Sequence, residues 1–179
     1  AGAVDFVTKP DSVSSGGADA FIEDLKSKIK IAAKAKVRKV ARPAKETTSE
    51  PNKFNDKKII AIGASTGGTE ALYSVLKNLP ANIPGIVIVQ HIPPLFSKMF
   101  ADRMNSQTPL QVKEAEGNEF IEPGKVFIAP GDKHLRVRKV GDKFKTELYQ
   151  GEKMSGHCPS VDVLFYSVAK DVGKNAVGV

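Results

Sequence analysis

A serine hydroxyl attacks a carbonyl carbon only when a nearby base takes its proton. This chain offers one pairing that can meet the need. Ser65 lies within Gly63-Ala64-Ser65-Thr66-Gly67-Gly68, and His91 stands 26 positions further on, at the end of an apolar run. Gly63 to Gly67 fits the Gly-x-Ser-x-Gly elbow, in which the serine sits on a sharp turn from strand to helix. Glycines there admit unusual backbone angles and leave room for a substrate. The helix start aims N–H groups at the site, where those near Thr66 could hold an oxyanion.

Glycine-rich turns of this kind also bind phosphate. A Walker loop needs a lysine after its last glycine, but Thr69-Glu70 follow Gly68. A dinucleotide fingerprint needs glycine where Ser65 stands, and an acid near Gln90-His91 for the ribose. Both nucleotide readings lose their anchor residue. A glycine turn with a surface serine and an incidental histidine stays open on these residues alone.

The elements around the pair place it. Lys58 to Ile62 is a short run rich in β-branched residues. After Thr69, Leu72, Val75, Leu76 and Leu79 recur at i, i+3, i+4 and i+7, one face of a helix closed by Pro80 and followed by Pro84. Ile86 to Val89 is a second apolar run. Strand, turn, helix, strand makes a right-handed parallel unit. Ser65 and His91 then follow two parallel strands at the same carboxyl edge, where open α/β sheets bind ligands.

Composition sets bounds. The 179 residues are 41% hydrophobic and 26% charged, a globular balance. No apolar run approaches a membrane span, and no secretory signal opens the chain. One cysteine, Cys158, excludes an internal disulfide and suits a reducing compartment. The net charge of +7 is local: Lys26 to Lys45 holds nine basic residues and no acid, and without them +7 becomes −2. Such a run reads as a solvated helix end and linker, with an anionic partner as the lesser alternative. The chain opens on alanine, so an upstream part is expected.

Val4 to Thr8 can be a strand before Lys9-Pro10, and Asp19 can cap a helix with Ala18, Phe21, Ile22, Leu25 and Ile29 as its apolar stripe. From Lys34 to Lys57 the periodicity fades into a hydrophilic linker. Pro93-Pro94 can start a helix with Leu95, Phe96, Met99, Phe100 and Met104 at helical spacing, the methionines as core filling. Residues 111–114 and 125–129 read as strands. Residues 134–140 and 145–149 form a hairpin about Gly141-Asp142. Ser160 can cap a helix with Val161, Leu164, Phe165, Val168 and Ala169 inward. A last strand begins at Asn175. His134 and His157 read as loop or surface residues without metal-ligand spacing, and Asp132 as a turn residue.

Residues 58–179 resemble the catalytic domain of the chemotaxis protein-glutamate methylesterases. Four ordered blocks carry the resemblance: Ile62 to Gly68, Val89 to Pro93, Ile128 to Leu135, and Pro159 to Phe165. Residues 1–34 resemble the last strand and helix of a response-regulator receiver domain, with Lys9 aligned to the lysine that contacts the phosphoryl group. The implied organisation is a truncated receiver at 1–34, a basic linker at 35–57 and a C-terminally truncated esterase at 58–179.

The resemblance implies an α/β fold: a mostly parallel, doubly wound sheet with helices on both faces and an attached β-hairpin. It implies a Ser-His-Asp triad with Ser65 as nucleophile, His91 as base and the aspartate beyond Val179. It implies hydrolysis of glutamate γ-methyl esters on chemoreceptors in the cytoplasm, with glutamine deamidation as a second activity. No metal or cofactor, no nucleic acid and no membrane insertion are expected. A chemotaxis histidine kinase would supply the receiver's phosphoryl group. One departure is His157-Cys158-Pro159, where the family commonly has His-Arg-Pro. The alternative is a non-catalytic phosphate- or nucleotide-binding module of a two-domain regulator.

Overall fold

The computed structural model describes residues 17–34 and 57–179. The chain divides into two units, Ala1–Ala41 and Arg42–Val179. In the first unit, helix α1 runs Gly17–Lys34. It starts two residues before Asp19, which therefore lies in the first turn and is not the cap. Phe21 and Leu25 are half-buried, whereas Ile22 and Ile29 of the expected stripe are exposed. The expected strand at 4–8, Lys9 and linker residues 35–56 lie outside the described residues.

The second unit alternates strands and helices. β1 (Ile59–Ala64) and β2 (Gly85–Gln90) flank α2 (Gly68–Leu76). After α3 (Pro94–Gln107) come β3 (Gln111–Glu114) and β4 (Lys125–Ile128). The hairpin β5 (His134–Val140) and β6 (Lys143–Tyr149) precedes α4 (Val161–Asp171) and β7 (Ala176–Gly178). A single 3-10 turn, Gly173–Asn175, occupies the place where the last strand was expected to begin.

The strand order is β3-β4-β2-β1-β7, and every pair in this sheet is parallel. β2 is buried along its whole length, so Ile86 to Val89 reads as continuous apolar sequence. α2 and α3 cover one face, with Leu72, Leu76, Phe100 and Met104 against Ile86, Ile88, Val126 and Ile128. α4 and the hairpin cover the other, with Leu164, Val168, Leu135 and Val137 against Ile59, Val87 and Phe127. The doubly wound architecture with an attached antiparallel hairpin is as the sequence led us to expect.

Periodicity overstates burial in three helices. Val75 is exposed, and on α3 so are Leu95, Phe96 and Met99, while Phe100 and Met104 are in the core. On α4, Leu164 and Val168 are buried and Val163 joins them, but Ala169 is exposed. A helix repeat identifies a face, and the neighbouring elements decide how far along the helix that face is covered.

Candidate active site

β1 ends at Ala64, and the chain turns at once into α2. Ser65 C=O accepts the Gly68 N–H at 2.8 Å, closing a four-residue turn. Gly67, third in that turn, has φ 77° and ψ −7°, the values a type II turn requires there and a side chain resists. Ser65 and Thr66 are thereby left exposed at the sheet edge. The bond that closes the turn does not use the Thr66 N–H.

β2 runs parallel to β1 with Ala64 opposite Gln90. That register brings His91 beside Ser65. The His91 N–H donates to Ala64 C=O at 3.1 Å, and His91 Nδ1 lies 3.2 Å from Ser65 Oγ. A neutral ring that accepts the serine proton at Nδ1 carries its own hydrogen on Nε2. Nε2 is buried without a hydrogen-bond partner among the described residues. Burial, and then the charge of His157, hold His91 below the ordinary imidazole pKa. The lowered pKa favours the neutral ring, the form that can accept a proton.

Three residues unassigned by the sequence reading organise the carboxyl edge of the sheet. Gln90 is buried, and its Nε2 donates to Ser65 C=O at 2.9 Å and to His91 C=O at 3.1 Å. One amide thus ties together the ends of both strands. A Cβ at Gly68 would come within 2.0 Å of Gln90 Oε1, so glycine makes room for that amide. Ser97, wholly buried, hydrogen-bonds the Glu114 carboxylate and accepts the Gly131 N–H at 3.2 Å. It joins the start of α3 to the end of β3 and to the turn after β4.

The third, His157, was expected to be a loop or surface residue without metal-ligand spacing. It is on a loop and exposed, but its ring stacks on that of His91, with centroids 3.8 Å apart and planes 15° apart. No local pattern announces this contact across 66 residues, although the match of Pro159 to Phe165 lay next to it. His134 also departs from expectation. It is 1% exposed and begins β5; Ser160 N–H donates to its Nδ1 at 3.2 Å, and its Nε2–H donates to Glu152 C=O at 2.9 Å. Ser160 precedes α4 but makes no side-chain cap bond.

Asp132 is an exposed turn residue with φ 60°. Its charge adds to burial, the larger cause, in pushing the Cys158 thiol up. Lys9 is outside the described residues. Among the described residues no group of three or more His, Cys, Asp or Glu could hold a metal ion.

Known proteins resemble this chain over its whole length. The chain is 44% identical over 179 residues to protein-glutamate methylesterase/protein-glutamine glutaminase 2 of Syntrophomonas wolfei, covering 100% of this chain and 52% of that protein. It is 45% identical to the protein-glutamate methylesterase/protein-glutamine glutaminase of Salmonella typhimurium, covering 99% and 51%. The chain thus spans about half the length of the curated relatives it matches. The crystal structure of the Thermotoga maritima CheB methylesterase catalytic domain superposes with a TM-score of 0.65 at 41% identity, covering 68% of this chain and 65% of that one. The α/β fold that carries Ser65 and His91 is therefore shared with a solved methylesterase catalytic domain. Residues 60–179 match the family model described as CheB methylesterase, and the chain belongs to that family.

Proposed function

We propose that this chain hydrolyses γ-methyl esters of glutamate side chains on methyl-accepting chemoreceptors and deamidates glutamines at equivalent positions. The observation that carries the reading is the 3.2 Å approach of Ser65 Oγ to His91 Nδ1 at the carboxyl edge of the sheet. Nδ1 takes the serine proton as Oγ attacks the γ-carbonyl carbon. The Thr66 N–H stabilises the oxyanion. Collapse of the tetrahedral intermediate expels methanol, which receives the proton from His91. Water, deprotonated by the same nitrogen, then attacks the acyl-serine and releases glutamate and Ser65. With a glutamine side chain the leaving group is ammonia.

The orphaned His91 Nε2 supports a third member. A carboxylate accepting its hydrogen would fix the tautomer and stabilise the imidazolium. We assign this role to an aspartate following Val179. Residues 1–34 are read as the end of a receiver domain in which Lys9 contacts a phosphoryl group supplied by a histidine kinase, and 35–57 as the linker. Similarity to the curated relatives runs through this segment as well. The proposed setting is the cytoplasm, without nucleic acid or membrane insertion. Among the described residues no helix is long and apolar enough to cross a membrane.

The test uses the full-length protein and methyl-labelled chemoreceptor. A fluorophosphonate should label Ser65, and Ser65→Ala should abolish both labelling and methanol release. Substantial residual methanol release by Ser65→Ala would overturn the assignment. A nucleotide that raised the melting temperature of an inert protein would favour the binding module instead.

A further inference from the structure

The hydrogen bonds of His91 lie at the edge of its ring: Nδ1 faces Ser65, and Nε2 is the nitrogen assigned above to a carboxylate. A ring bonded at its edge can still rock out of plane, and a displacement of about 1 Å in a reacting pair can cost 10²-fold in rate. The flat contact that limits such a motion is His157.

His157 stands on a built platform. Met154 and His157 exchange two backbone hydrogen bonds, each 3.1 Å, around Ser155 and Gly156. Those central residues have φ 52° and 81°, as the tightest hairpin turns require. Ser155 Oγ donates to Asp162 on α4. The buried ring of His134 receives the Ser160 N–H and donates to Glu152 C=O, drawing the two ends of the loop together. A loop anchored in this way can present a ring at a set distance.

Resting on the esterase reading above, we propose that His157 is a positioning residue for the reaction: its imidazole holds the plane of His91 that directs Nδ1 at Ser65. With the ring centroids 3.8 Å apart, charge on His157 opposes a proton on His91. Burial and the His157 charge act in the same direction on His91. Neutral Ser65 faces His91 from the β1–α2 turn, and the charged groups near the loop that carries His157 are Lys153 and Asp132, which act on Cys158, and Asp162 on α4, which binds Ser155. The effect keeps His91 unprotonated, and so able to act, at lower pH than an isolated imidazole.

The experiment measures kcat and KM of the full-length protein on a small ester from pH 5 to 9. His157→Ala removes plate and charge, and kcat should fall about 10-fold with KM within about twofold. His157→Phe keeps a flat plate without charge. It should recover most of the kcat at pH 8, while its acid limb moves to higher pH than in the wild type because the His157 charge is gone. Wild-type kcat and an unmoved limb in both variants would overturn the proposal. Equal losses in both with an unmoved limb would also overturn it, as they mark a substrate contact or a structural role. Should His157→Ala not fold, the acid limb of His157→Phe decides. Full turnover by Ser65→Ala sinks the esterase reading itself; an inactive Ser65→Ala beside wild-type-like His157 variants sinks only this inference.

Discussion

Replacing Gln90 by methionine should separate stability from catalysis. The side chain is buried and of similar length, so no sizeable cavity opens. Two hydrogen bonds disappear, those to Ser65 C=O and His91 C=O. At about 0.5–1.5 kcal/mol net each, they contribute about 1–3 kcal/mol. Against this, Gln90 Oε1 is buried without a partner among the described residues, and removing such an atom regains about 1–3 kcal/mol. Ser65 C=O also keeps its bond from Gly68 N–H. The two contributions nearly cancel, so stability should change by no more than about 1 kcal/mol. Catalysis has no such offset. The tie that sets the serine turn against the end of β2 is gone, and the Ser65–His91 approach of 3.2 Å depends on it. A loss of about 10–100-fold in kcat/KM is expected. Urea denaturation and turnover of a small ester, both on the full-length protein, check the two halves. A kcat/KM within threefold of wild type would show that the tie does not position the pair. A stability loss above about 3 kcal/mol would show that the offset was misjudged.

Ser65→Ala, on an exposed turn, should change stability by less than about 0.5 kcal/mol. His91→Ala should be comparably inactive and the double variant little worse, because the two act as a unit; additive losses in single-turnover kinetics would contradict this. Replacing Lys34, Lys36, Arg38 and Lys39 by glutamine should leave small-ester turnover unchanged, and salt-sensitive duplex DNA binding lost in this variant would revive the nucleic-acid reading. Glu119 should matter to acid stability. Burial would raise its pKa, but Thr146, backbone N–H groups and Lys113 together hold it below 4.5. Its stabilisation is present above that value and lost as pH falls through the lower folded value. Glu119→Gln should therefore flatten the acid side of a melting-temperature profile, and a wild-type slope would refute it.

Gly63 to Gly68 was legible because glycine spacing is a local demand: φ 77° at Gly67 is set by the turn it occupies. Parallel pairing of β1 and β2 was legible too, since a strand-helix-strand unit leaves little choice, and it brought Ser65 and His91 to one edge without any coordinates. The hairpin about Gly141-Asp142 followed from turn chemistry. What sequence could not place were contacts made side by side in space with no repeat to announce them. Gln90 drew notice only as the place where an acid was missing, yet its amide holds both strand ends. His157 became part of the site because a loop clamped by His134 carries it over His91. Exposure of Leu95, Phe96 and Met99 likewise depended on which elements lie beside α3, which no periodicity within α3 encodes. Backbone geometry is written locally in residue types, whereas the partners of a side chain are decided by packing among elements distant in the chain.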